Sequence, residues 1–279
     1  MNSMKSKCVL ITGPTSGVGK EIALQLAVLG AELVLGCRDL EKGNSTAAEI
    51  TRRSGLSPVV MQVDTSSQGS IREFAGEFQR RFDHLDVLIN NAACNRGELP
   101  KINSVDGIEL TFATNVLGYF LLTQELLGLL KKSAPARIVN VASTFASDLD
   151  LEDLQFERRP FDSFKAYAQS KACDRLFTWA LARRLEGSGV TANAMTPGLI
   201  TETGLYRNAA SELMKRLTQY SGGRTSAQGA DIAVWLASSP QMQGVNGKFY
   251  EEHEELPCEF RDKETEEKLW RICEKLVNK

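Results

Sequence analysis

The stretch Cys8-Val9-Leu10-Ile11-Thr12-Gly13-Pro14-Thr15-Ser16-Gly17-Val18-Gly19 decides how this chain is read. Cys8 to Thr12 is an apolar run without polar alternation, the pattern of a strand buried on both faces of a parallel sheet. From Val18 the period changes, and Ile22, Leu26 and Leu29 recur at helical spacing until Gly30 stops them. The glycines between strand and helix let the chain turn tightly and bring backbone close to a ligand. The first turn of the helix offers free N–H groups and a partial positive charge, which suit a pyrophosphate. Gly13, Thr15, Ser16, Gly17, Val18 and Gly19 are therefore candidate dinucleotide-binding residues. An ordinary glycine-rich turn is the alternative, because lone glycine motifs are weak.

Working outward, strand and helix patterns alternate. Strands are predicted over Glu32 to Leu35, Val59 to Val63, Leu85 to Ile89, Arg137 to Val141, Val190 to Met195 and, in short form, Lys248 to Tyr250. Helices are predicted over Glu41 to Arg53, Ser67 to Phe82, Ser104 to Lys132, Phe164 to Glu186 and Ala227 to Ser238. Such alternation implies βαβ units with right-handed crossovers. The expected fold class is α/β, a single-domain Rossmann-type doubly wound parallel sheet of about seven strands with helices on both faces. No linker rich in Pro, Gly or Ser divides it. Residues 1–256 are read as the NAD(P)-binding catalytic domain, and residues 257–279 as a helical extension of it with Leu269, Trp270, Ile272 and Leu276 as apolar contacts. Irregular stretches at Cys94 to Asn103, Thr144 to Asp162 and Leu199 to Arg224 all follow strand ends on one side of the sheet, where ligands bind in such folds.

Composition narrows the function classes. The 279 residues carry 33 Lys+Arg against 35 Asp+Glu, a formal charge of −2, so no basic footprint for nucleic acid exists. None of the six cysteines forms a C-x-x-C pair or neighbours a His cluster, so no metal site is expected. They read as reduced thiols. The N-terminus lacks a signal-peptide apolar region, and Val116 to Leu130 is broken by Gln124 and Glu125. A cytoplasmic protein without a membrane anchor is expected. His84 and His253 read as solvated.

Tyr167-Ala-Gln-Ser-Lys171 places a phenol and an ammonium at i and i+4, about 5–6 Å apart on one helix face. A phenol ordinarily titrates near 10, and an adjacent ammonium favours its phenolate. The pair makes chemical sense as proton donor and tuner. A solvated Tyr–Lys pair is the alternative. Ser143 closes the preceding strand, where its hydroxyl could donate to a substrate oxygen as charge develops.

The spacing T-G-x-x-x-G-x-G at Thr12 to Gly19, Asn90-Asn91-Ala92-Ala93, and Asn115, Ser143, Tyr167 and Lys171 in that order resemble the short-chain dehydrogenase/reductase family. Leu35-Gly36-Cys37-Arg38-Asp39, Asn115 to Thr123, Asp150 to Leu154 and Gly247 to Tyr250 look like its retinol dehydrogenase-like branch. The resemblance implies catalytic roles for all four residues, with Asn115 steadying a water that connects Lys171 to solvent. It implies that Asp64 accepts from the adenine amino group, although Asp64 also suits a helix N-terminal cap region. It implies that Asn91 and Ala92 lie beside the adenosine. Pro197, Gly198 and Thr201 would border the nicotinamide, and Tyr167 and Lys171 would touch the cofactor. Cys37 stands where NAD-preferring members carry an acid. Arg38 follows it and suits a 2′-phosphate. NADP(H) is thus expected over NAD(H), with Asp39 keeping NAD(H) open.

The expected activity is interconversion of a carbonyl (ketone or aldehyde) and an alcohol on a fairly apolar small molecule. Leu205, Tyr206, Leu213, Met214 and Phe145 are candidates for covering or lining its pocket. C=C reduction, dehydratase or epimerase chemistry, or a non-catalytic NADP(H)-binding regulator, are the alternatives. A homodimer or homotetramer is expected by analogy with the family.

Overall fold

The structure is a computed structural model describing residues 3–201, 204–206 and 223–278. Its strands are β1 (Cys8–Thr12), β2 (Glu32–Cys37), β3 (Val59–Gln62), β4 (Val87–Asn90), β5 (Ala136–Val141), β6 (Val190–Met195), β7 (Phe249–Glu251) and β8 (Glu254–Glu255). They form one sheet in the order β3-β2-β1-β4-β5-β6-β7-β8. All neighbouring pairs are parallel except β7 with β8. The sheet therefore has eight strands, the additional one being a two-residue antiparallel edge too short to show a period.

The longer helices are α1 (Gly17–Val28), α2 (Leu40–Ser54) and α3 (Gln68–Arg81), then a short α4 (Leu110–Phe112), α5 (Gly118–Lys132), α6 (Ser163–Arg184), α7 (Ser226–Ser238) and α8 (Lys263–Val277). Strand side chains alternate between two cores. Cys8, Leu10, Leu88 and Ile138 face the core beneath α3, α5 and α6, whereas Val9, Ile11, Ile89 and Val139 face the core beneath α1 and α7. α8 closes the first face. Its Trp270 lies 4.9 Å from the Phe120 ring and 6.0 Å from Phe177, and Glu267 pairs with Arg183 and Arg184.

One predicted helix starts later than its pattern suggested. The Ser104 to Lys132 period does not become helix until Leu110. Gly107 takes φ +76°, a conformation a helix does not use, and Asn103 pairs as a bridge with Glu109. The Glu109 carboxylate then accepts from the Thr111 and Phe112 N–H groups and starts the helix. A π-helical stretch, Ala113–Leu117, precedes α5. Among the described residues, no helix is long and apolar enough to cross a membrane.

β2 and β3 lie to one side of β1, and β4 to β8 to the other. The chain reverses direction of winding between β1 and β4, and a crevice opens at their carboxyl ends. That crevice is the cleft described next.

Candidate active site

A cleft of about 630 Å³ runs along the carboxyl edge of the sheet, from Arg38 beyond β2 to Tyr167 on α6. Its centre is the glycine turn. Gly13 takes φ +65°, and a Cβ there would meet the Cα of Ala92 at 2.9 Å. A Cβ on Gly19 would lie 2.3 Å from Asn91 Nδ2 and 2.4 Å from the Gly13 carbonyl. The Asn91 amide fills that space and donates to the carbonyls of Thr12 (2.9 Å) and Gly13 (3.1 Å). The Thr12 hydroxyl accepts from the Asn91 and Ala92 N–H groups, both at 3.0 Å. The glycines thus serve first to let the β4 end brace the turn. Ser16 caps α1 without a side-chain hydrogen bond, so the first-turn N–H groups keep no side-chain acceptor. A helix N-terminus with open N–H groups lining the cleft fits a pyrophosphate.

Beyond β2, Cys37 is buried and pushed above its ordinary thiol value, chiefly by burial and then by Asp39. It packs where Gly43 leaves room, since a Cβ on Gly43 would lie 2.5 Å from the Cys37 Sγ. Asp39 caps α2 by accepting from the Lys42 N–H at 3.1 Å, and its other oxygen pairs with Lys42 Nζ at 3.1 Å. Those backbone and side-chain bonds from Lys42 hold its carboxyl below the usual range. The exposed Arg38 guanidinium has no ion-pair partner among the described residues, and Arg38 and Lys42 both line the cleft. The acid is committed to its helix while the cation is open. Asp64 also lines the cleft. Its Oδ1 accepts from the N–H and hydroxyl of Ser66, and Ser67 is the residue that caps α3.

At the other end, Ser143 follows β5, and Tyr167 and Lys171 project from α6 into the same cleft. The Ser143 Oγ accepts from the Phe145 N–H at 3.0 Å. Its carbonyl accepts from the Arg175 guanidinium, which stacks 4.1 Å from the Phe249 ring. Tyr167 is 4 % exposed, and the Phe145 ring lies 6.4 Å from it. Lys171 Nζ lies 5.8 Å from the Tyr167 ring centroid. It donates to the Val141 carbonyl at 2.9 Å and pairs with Asp174 Oδ2 at 2.8 Å.

Of the residues singled out from the sequence, Gly13, Thr15, Ser16, Val18, Gly19, Arg38, Asp64, Asn91, Ala92, Ser143, Tyr167, Lys171, Pro197 and Gly198 line one cleft. Gly17, the first residue of α1, takes φ +53° and does not line the cleft. Thr201 is exposed, and its N–H donates to the Arg224 carbonyl. Asn115 is fully buried in the π-helical stretch. Its amide holds the Cys94 backbone at both ends and donates to the Ser170 hydroxyl, so it ties the loop after β4 to α6. Asn90 does not reach the cleft. It donates to Thr123 and to Asn140, which donates to Thr178, forming a buried polar ladder. Leu205 lines the cleft. The Tyr206 side chain, Leu213 and Met214 lie outside the described residues. His253 is exposed, as expected, and its ring stacks on Trp235 and pairs with Asp231. The sequence reading missed Asp174, Arg175 and Lys42. Only Asp174 carried a spacing signal, three residues past Lys171 on the same face.

Residues 7–213 match the family model described as short chain dehydrogenase. Human retinol dehydrogenase 14 is 38 % identical, with 98 % of this chain and 87 % of that protein covered. Mouse retinol dehydrogenase 12 is 39 % identical, with 97 % and 86 % covered. Among solved structures, a Mycobacterium paratuberculosis protein superposes with a TM-score of 0.78 at 29 % identity, covering 100 % of this chain and 96 % of that one. Pseudomonas aeruginosa RhlG, solved as an active-site complex with NADP, gives 0.72 at 25 % identity, covering 88 % and 94 %.

Proposed function

This chain belongs to the short-chain dehydrogenase family and is an oxidoreductase, and on that premise we propose that it uses NADP(H) to interconvert a ketone or aldehyde and an alcohol on a fairly apolar small molecule. One observation carries the reading: Ser143, Tyr167 and Lys171 share a cleft whose far end presents an open guanidinium. When bound, the nicotinamide dinucleotide supplies or accepts the hydride.

The chain's own residues do the rest. Arg38, with Lys42 beside it, holds the 2′-phosphate, and the α1 N-terminus holds the pyrophosphate. Asp64, Asn91 and Ala92 border the adenosine, and Pro197, Gly198 and Thr201 border the nicotinamide. The Ser143 hydroxyl donates to the substrate oxygen, because its lone pair already accepts from Phe145 N–H and its proton is free to turn outward. Tyr167 gives its phenolic proton to that oxygen during reduction and recovers it during oxidation. Lys171 stabilises the phenolate between those events. Phe145, 44 % exposed beside Tyr167, supports an apolar substrate, as does the name of the retinol dehydrogenase relatives.

The test is a panel of carbonyls and alcohols followed through nicotinamide absorbance with both cofactors. Tyr167→Phe is expected to lower turnover by about 10²- to 10⁴-fold and to leave NADPH affinity unchanged. Near-normal turnover in that variant overturns the assignment.

A further inference from the structure

We propose that Asp174 is a positioning residue for the reacting pair: bonded to Lys171 from the buried side, it shares the ammonium's charge and keeps Tyr167 as the proton-donating phenol, which biases the site toward carbonyl reduction. The proposal rests on the reading of Tyr167 and Lys171 given above.

The geometry is specific. The Lys171 and Asp174 side chains are 1 % and 0 % exposed. An ammonium has three donors. One goes to Asp174 Oδ2, one turn further along α6, and one to the Val141 carbonyl at the end of β5. The third is left for the side of the tyrosine rings, with Nζ 5.8 Å from Tyr167 and 5.5 Å from Tyr119. Asp174 Oδ1 has no hydrogen-bond partner among the described residues. A fully buried carboxylate with an unsatisfied oxygen is an expensive way to hold a lysine in place. A neutral amide would make the same bond to Nζ, so the charge itself is the distinguishing feature.

That charge also reaches groups on the surrounding elements. Tyr119 reaches it from α5, Cys273 from α8 and Cys173 from α6 itself. Burial first, and then neighbouring groups including Asp174, pushes all three above their ordinary values. None of them changes charge near neutral pH, whereas Lys171 is bonded to Asp174 directly and faces Tyr167. Burial outweighs Lys171 and pushes Asp174 itself up to about 6. Above that pH the pair is ionised and the ammonium's field at Tyr167 is partly cancelled. Below it, Asp174 takes a proton and the field at Tyr167 is undivided.

The experiment is an ultraviolet difference titration of tyrosinate in the cofactor-free protein. Subtracting Tyr167→Phe isolates the Tyr167 transition, and the subtraction is repeated on an Asp174→Asn background. The Tyr167 midpoint is expected to fall by about one pH unit in Asp174→Asn. The acid limb of alcohol oxidation should move down with it. An unchanged midpoint overturns the proposal. Asp174→Ser carries the same expectation, and loss of folded protein in both variants assigns the pair to the fold and also overturns it. A lowered midpoint in a protein that binds NADPH but turns over nothing breaks the functional reading while upholding the charge sharing.

Discussion

The two ends of the cleft are built on opposite principles. The end at β1 and β2 is made of backbone, small residues and exposed cations: glycines without Cβ atoms, uncapped N–H groups, and Arg38 in solvent. At the end formed by β5 and α6, behind Ser143 and the exposed Phe145, Tyr167, Lys171, Asp174 and Asn115 are all at or below 4 % exposure. The first arrangement suits a large charged ligand that must enter and leave, because its groups are solvated until they are used. The second suits proton transfer, because fixed dipoles and charges act more strongly where water is excluded.

The contrast is broken most severely by removing one partner of the buried pair. Lys171→Ala leaves Asp174 buried without its cation and is expected to cost about 3–5 kcal/mol at neutral pH, read from denaturant midpoints. The sign of its pH dependence follows from Asp174. The folded-state value, about 6, lies above the ordinary 3.8, so the ionised form is the one the fold disfavours. Removing Lys171 takes away the charge and hydrogen bond that lower Asp174, so its carboxyl rises further in the variant, and the destabilisation should shrink as pH falls through that raised value.

Gly19→Ala tests the other end, where the same strictness comes from close approach rather than charge. The new Cβ meets Asn91 and the Gly13 carbonyl, so a loss of about 1–3 kcal/mol in thermal unfolding is expected, together with impaired NADPH binding by fluorescence titration. Arg38→Ala should leave stability unchanged and weaken NADPH by about 10- to 100-fold while sparing NADH. Equal loss for both cofactors would remove the 2′-phosphate role. The smallest effect is expected far from the cleft, at Glu267 on α8. Its bonds to Arg184 hold it at about 2, below the ordinary 4.5. Its contribution is present above about 4.5 and fades as pH falls toward about 2. Because the pair is partly solvated, Glu267→Gln should cost less than about 1 kcal/mol in urea titrations at pH 7.

The same contrast explains what was legible in the sequence. Strand β1, the glycine turn and α1 are contiguous, so composition and period read them directly. The Tyr167–Lys171 pair was legible because helical spacing places i and i+4 on one face. Ser104 to Leu110 was misread because an apolar period says nothing of the left-handed conformation at Gly107 or of the capping carboxylate at Glu109. Asn90 and Asn91 are neighbours in one motif, yet the Asn90 side chain bonds to Thr123 and Asn140 on other elements, which adjacency in the sequence does not show.

By itself, the sequence determined the alternating α/β order, the turn that opens the cleft and the order of the reacting residues, because each is encoded in spacing along one segment. Tertiary structure alone decided that Asn91 fills the space glycines leave, that Asp39 is tied to its own helix while Arg38 stays open, and that Asp174 lies behind Lys171. Those facts depend on which side chains meet across parallel strands and packed helices. Separation along the chain does not specify such meetings, and burial then sets the energy of the charges involved.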